Sequence, residues 1–225
     1  MNIVRTGWVA LALVVFASQV ASAQDRLGYR AFVLESSVDT VVASSGATAS
    51  DTKVRHERPA LIQELEWRAP YTRTGNELAD PVRGLIFSFC DDALYQVLVT
   101  YDPDRTVGLT NGDIVDSLTA VYGTPLPAAA RNRPLAAPLD TVVLAQWDSS
   151  GSSLTLLRGV YSGDFQLILS SKTLSTRARG AIREAERLAT ADAPRKELEQ
   201  RKKDAADATA ARDRIRANNK AAFRP

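Results

Sequence analysis

Cysteine and histidine are almost missing from this chain: among 225 residues there is one of each, Cys90 and His56. A lone cysteine forms no internal disulfide, so the fold must stand on ordinary core packing. A lone histidine rules out any site built on several imidazoles. Long apolar runs are missing too. After the first two dozen residues nothing approaches the ~18 consecutive apolar residues of a membrane-spanning helix. The sequence has no Gly-x-Ser-x-Gly elbow and no phosphate-cradling glycine loop. Its scattered acids include no pair isolated in an apolar run, as a general acid/base pair requires.

The start of the chain has the pattern of an export signal. Arg5 sits in a short polar opening, Trp8 to Phe16 is apolar, and Ala21-Ser22-Ala23 supplies the small-x-small cleavage pattern. We expect residues 1–23 to be removed, placing the remaining 202 residues in the periplasm or outside the cell. No cysteine follows the run, which excludes lipid attachment there. The net charge of +2 hides an asymmetry. Gln24 to Thr176 carries 13 Lys+Arg and 18 Asp+Glu, a net of −5; Arg177 to Pro225 carries 14 and 8, a net of +6. An exported protein with an acidic body is a poor candidate for nucleic-acid binding.

Along the chain, "YRAFVL" (29–34) has strand character. "ESSVDTVVASSG" (35–46) reads as a short helix with Ser36 and Asp39 as a capping box and Gly46 as its stop. Residues 47–60 form a polar loop, "LIQELEWR" (61–68) alternates as a strand, and a second loop covers 69–81. "VRGLIFSF" and "LYQVLVTY" are two further strands. The order then begins again. "TNGDIVDSLTAVYGTP" (110–125) is a helix capped by Thr110 and Asp113, with Ile114, Leu118 and Val121 on one face. A Pro/Ala-rich loop and the strands "TVVLAQW", "SLTLLRGV" and "FQLILSS" follow.

Local matches suggest duplication: "ELEW" (64–67) against "LAQW" (144–147), and "YQVLV" (95–99) against "FQLIL" (165–169). The expected fold is therefore α+β. Two tandem modules, 24–107 and 108–172, each lay a helix on a three-stranded antiparallel sheet and pack side by side. An amphipathic helix with Ala178, Ile182, Ala185 and Leu188 near one face should follow over 173–190. A charged, exposed tail, 191–225, should begin anew with Asp192 as N-cap and Pro194 in the first turn. A capped helix ending in Gly-Thr-Pro before three antiparallel strands resembles the outer-membrane assembly lipoprotein BamE. In tandem the pattern is similar to the β-lactamase-inhibitor-protein architecture. That resemblance implies protein binding and carries no functional residue across. It also lacks the lipidated cysteine of BamE, and it shows one helix per module where those folds often have two.

Candidate chemistry is sparse. A thiol dyad of Cys90 with His56 is conceivable. Yet His56 stands among Arg55, Glu57 and Arg58, and Cys90 has no helix N-terminus beside it to lower its pKa. "DPDRTVGLTNGD" (102–113) resembles a calcium loop but has Val107 where glycine is needed, so strand exit, turn and helix cap explain it better. "FCDDALY" (89–95) reads as a hairpin corner, with Asp91 and Asp92 suited to turn dihedrals. Phe87 and Phe89 should share one side of the incoming strand, and Tyr95, Val97 and Val99 one side of the outgoing one. Trp67 and Trp147, paired with Leu65 and Val143 at strand spacing, should point into the core. The alternative is an open concave face on which Trp67, Tyr95, Trp147 and Phe165 bind a protein. The basic arm Arg195, Lys196, Arg201, Lys202 and Lys203 suits an acidic partner or an anionic envelope surface. These residues point to a non-catalytic exported binding protein that needs neither cofactor nor metal. The competing reading is an envelope hydrolase with a site near His56, built on loops 47–60, 69–81 and 124–140.

Overall fold

A computed structural model describes residues 27–69, 80–134, 137–222 and 224. The expected export signal, residues 1–23, and most of the 69–81 loop lie outside them. The elements in chain order are α1 (Val38–Ser45), β1 (Thr52–His56), β2 (Ile62–Arg68), β3 (Val82–Cys90), β4 (Ala93–Tyr101), α2 (Pro103–Thr106), α3 (Asn111–Tyr122), β5 (Thr141–Asp148), β6 (Ser152–Gly159), β7 (Phe165–Ser171) and α4 (Lys172–Ala222). The fold is α+β. All seven strands join one antiparallel sheet in the order β1-β2-β3-β4-β7-β6-β5.

Alternation along the strands gives the sheet two different faces. On the first, Leu65, Phe87, Phe89, Val97, Leu154, Leu156, Leu167 and Leu169 are buried in the main core. Val41 of α1 and Phe32 close it on one side, and Ile114, Val115, Leu118 and Tyr122 of α3 on the other. On the second face Ile62, Cys90 and Tyr95 pack under Ala178 and Ala181 of α4. A separate small cluster joins Leu157 and Ile168 to Ala137.

Several expectations change. Residues 29–34 form a tight turn closed by a Tyr29–Phe32 bridge, not a strand, because Arg30 takes a left-handed φ of 54°. The cap of α1 is Ser37, whose hydroxyl accepts the Thr40 N–H, in place of Ser36. The 47–60 loop contains β1, a mostly exposed edge strand whose polar side chains conceal its pairing. The face of α3 uses Val115 and Tyr122 while Val121 points to solvent. The C-terminal helices are one 51-residue helix with Pro194 inside it. Proline removes one backbone hydrogen bond there. The position is exposed, however, so water can reach the freed carbonyl, and strong helix formers flank it on both sides. Asp192 consequently pairs with Arg195 rather than capping.

Two bulges redirect side chains. Ser88 faces Gln96 while Phe89 faces Leu94, which leaves Tyr95 as the extra residue. Tyr95 therefore turns to the α4 face, away from Val97 and Val99. In β5 the extra residue is Leu144, so Val143 and Trp147 face opposite ways.

Candidate functional site

The "FCDDALY" corner is a two-residue hairpin turn. Asp91 and Asp92 both have positive φ, 49° and 66°, as a type I′ turn requires. Their carboxylates knit three segments together. Asp91 accepts the Leu61 N–H at 2.9 Å and also pairs with Arg177 of α4. Asp92 accepts the Val38 N–H at 3.0 Å, at the first turn of α1. Cys90 is buried beside them. Burial, with a smaller push from the charge of Asp91, raises its thiol pKa, the reverse of what a nucleophile needs. His56, at the end of β1, lies outside the cleft described below. The acids of 102–113 are spent on caps: Asp102 accepts the Asp104 N–H before α2, and Thr110 with Asp113 forms the full capping box of α3. Among the described residues no group of three His, Cys, Asp or Glu is placed to hold a metal.

The four aromatic candidates do not form one surface. Trp147 is buried, and its indole N–H donates to the Gly123 carbonyl at 2.7 Å, fastening the end of α3 to the sheet. Phe165 is buried beneath the Arg158 guanidinium, and Trp67 packs partly buried against the same core. Tyr95 sits on the opposite face. Exposed apolar side chains gather elsewhere. Leu139, Val142, Val160 and Tyr161 stand at one end of the β5–β6 hairpin, where the Val160 N–H meets the Asp140 carbonyl at 2.7 Å. The basic arm lies on the exposed part of α4; every residue from Arg195 to Ala222 is exposed, about 42 Å of helix.

The α4 face also holds a cleft of about 720 Å³, within the range typical of small-ligand sites. Its floor is a straight polar row crossing six strands. Glu64 lies opposite Ser88, Ser88 opposite Gln96, Gln96 opposite Ser170, Ser170 opposite Ser153, and Ser153 opposite Asp148. Five strand steps of ~4.8 Å make the row about 24 Å long. One wall is the first turns of α4, with Lys172, Ser175, Arg179 and Ile182; the other holds Asn132, Arg133 and Pro134.

Both ends of the row are charge-compensated, while its centre is not occupied by internal bonds. Glu64 accepts from Arg55 at 2.5 Å, and Lys172 stands 3.1 Å from Asp148. Arg133 donates to the carbonyls of Thr141 and Pro138. Gln96 and Ser170 form no side-chain hydrogen bond with any described residue, and the buried Ser175 hydroxyl also lacks a partner. Arg179 bonds only the Ser175 carbonyl and the Thr176 hydroxyl, both within α4. Sequence reading missed this row. Its one local signal is a polar residue at an inward strand position, Ser88 in "IFSF" or Gln96 in "YQV"; alignment across six strands is a matter of register. No protein-family model, curated protein or solved structure matches this chain.

Proposed function

We propose that this is a non-catalytic, exported binding protein of the cell envelope, and that its ligand surface is the α4 face of the sheet. The observation that carries this reading is the unbroken polar row under α4, whose central Gln96 and Ser170 keep their hydrogen-bonding capacity free. Free, convergent polar groups in a ligand-sized cleft favour capture of a polar molecule. The charged groups at the two ends already have partners, and the buried thiol is disfavoured as a nucleophile, so the same surface offers little for bond cleavage. The export signal of residues 1–23 supports the periplasmic or extracellular setting.

The two-module architecture belongs to the same reading. Setting "YQVLV" on "FQLIL" makes Leu98 the counterpart of Ile168, and these two residues face each other across the β4–β7 seam. Gln96 opposite Ser170 then corresponds to Gln166 opposite Thr100. The arrangement is what a two-fold relation between duplicated modules produces, with β1 as an addition to the first. In this tandem form the chain resembles the BamE and β-lactamase-inhibitor-protein architectures. In this reading the basic arm on α4 approaches an anionic envelope surface while the cleft holds the ligand.

A photo-crosslinking residue placed at Asn132, exposed on the cleft wall, and separately at Lys202, tests the assignment in the native envelope. Adducts at position 132 that are lost on mutation of Gln96 or Ser170 are expected. Adducts at position 202 alone would move the function to the arm.

A further inference from the structure

Resting on the reading of the cleft as a ligand site, we infer that its ligand is an oligosaccharide carrying an acidic substituent. The row presents the carboxamide of Gln96 and the hydroxyl of Ser170 at its centre, with Ser153, which accepts from Gln146 at 3.4 Å, on the next strand and Ser88 buried at the floor on the other side. Each such group both donates and accepts hydrogen bonds, and so do the hydroxyl and acylamino groups of a sugar chain. A row about 24 Å long suits an extended chain better than a compact metabolite.

The position of the row argues against an extended peptide. Peptides that extend a sheet bind at its edge, through free backbone N–H and C=O groups. Here the central strands β3, β4, β7 and β6 are paired on both sides, so the floor offers side chains only. Apolar side chains border the row: Ile86 and Leu98 on the floor, the Tyr95 ring at one margin, and Ile182 on the α4 wall. They match the C–H faces of sugar rings, which are the apolar part of an otherwise polar chain.

The charge distribution selects the substituent. Glu64 and Asp148 already have cationic partners at the ends of the row, whereas Arg179 on the cleft wall forms no ion pair with any described residue. A bidentate guanidinium is suited to a carboxylate, and partial exclusion of water strengthens that pairing.

Isothermal titration of the full mature chain decides the matter. The probes are an N-acetylglucosamine tetramer, a tetramer alternating N-acetylglucosamine with its carboxyl-bearing lactyl ether, and a maltose-type tetramer. The carboxyl-bearing chain is expected to bind most tightly. Gln96→Ala or Ser170→Ala should weaken every binding tetramer about tenfold, as expected for loss of a hydrogen bond. Arg179→Gln should remove only the preference for the carboxyl-bearing chain. Circular dichroism and melting curves identify any variant that fails to fold, and the remaining variants then carry the test. Absence of heat with all three tetramers would overturn the proposal, as would binding that Gln96→Ala and Ser170→Ala leave unchanged. If the crosslinker at position 132 captures a peptide while no tetramer binds, the cleft stands as the ligand site and the oligosaccharide is wrong. If position 132 also captures nothing, both readings fall.

Discussion

Tyr101 shows how single side chains tie the N-terminal segment to the sheet. It packs with Tyr29 on the main core, and burial raises the pKa of both phenols above the usual value. Tyr122 completes the group by donating to the Gly28 carbonyl at 3.0 Å, and burial raises its pKa too. In an unfolded chain a tyrosine titrates near ~10. A folded pKa above that value means the folded state holds the proton more tightly. Its stabilisation is complete below pH ~10 and is lost as pH rises toward the folded value. Stability should therefore fall steeply above pH 10. Tyr101→Phe, which cannot ionise, should flatten that fall while changing stability at neutral pH by less than about 1 kcal/mol. Denaturant titrations at pH 7 and pH 11 measure both effects; an unchanged alkaline slope would show that these phenols do not govern it. The acids at the hairpin corner teach a related lesson. Asp91 and Asp92 resemble ligands in the sequence, yet they hold Leu61, Val38 and Arg177.

At the scale of elements, α4 divides into two unequal parts without a break in the helix. Residues up to Leu188 contribute the buried Ala178, Ala181 and Ala185 and the partly buried Ile182. Beyond Pro194 every described residue is exposed, including the large apolar side chains Leu198 and Ile215. Deleting residues 192–225 should consequently shift the melting temperature by less than about 2 °C, since exposed positions remote from packing contribute little. A truncation from residue 175 onward should lower it severely, because it uncovers Ile62, Cys90 and Tyr95. Differential scanning calorimetry on the two truncations separates these cases. The helix pattern after residue 174 was legible from its periodicity, as was the capping box of α3. The continuity through Pro194 was not, since a proline reads as a start signal and exposure decides how well a helix tolerates it.

At the scale of the molecule, the β4–β7 seam merges both halves into one sheet. Five residue pairs from Gln96–Ser170 to Thr100–Gln166 cross it, with Val97 and Val99 packed in the same core as Leu167 and Leu169. A chain ending at residue 107 would expose β4 as an apolar edge strand, an aggregation hazard. Residues 24–107 alone should therefore fail to give a soluble folded monomer, and the whole chain should unfold in one cooperative step. Size-exclusion chromatography of the fragment and calorimetry of the full body provide the measurement. A monomeric, cooperatively melting fragment would show that each half folds by itself.

Local patterns were enough to determine much of this protein. Alternation located β2, and runs rich in apolar, β-branched and aromatic residues located β3 to β7, several of which are buried on both faces. The Thr110–Asp113 spacing marked the start of α3, and the paired acids after Cys90 marked a tight turn. What the sequence alone left open depends on contacts between distant residues. β1 has no apolar alternation and exists because β2 offers it an edge. The bulges at Tyr95 and Leu144 arise where paired strands differ by one residue, and each reverses which face the neighbouring side chains occupy. The polar row from Glu64 to Asp148 is assembled from six strands, its members spread over residues 64–170 of the chain. Its members are ordinary serines, glutamines and acids in the sequence, and only strand order and register bring them into line beneath α4.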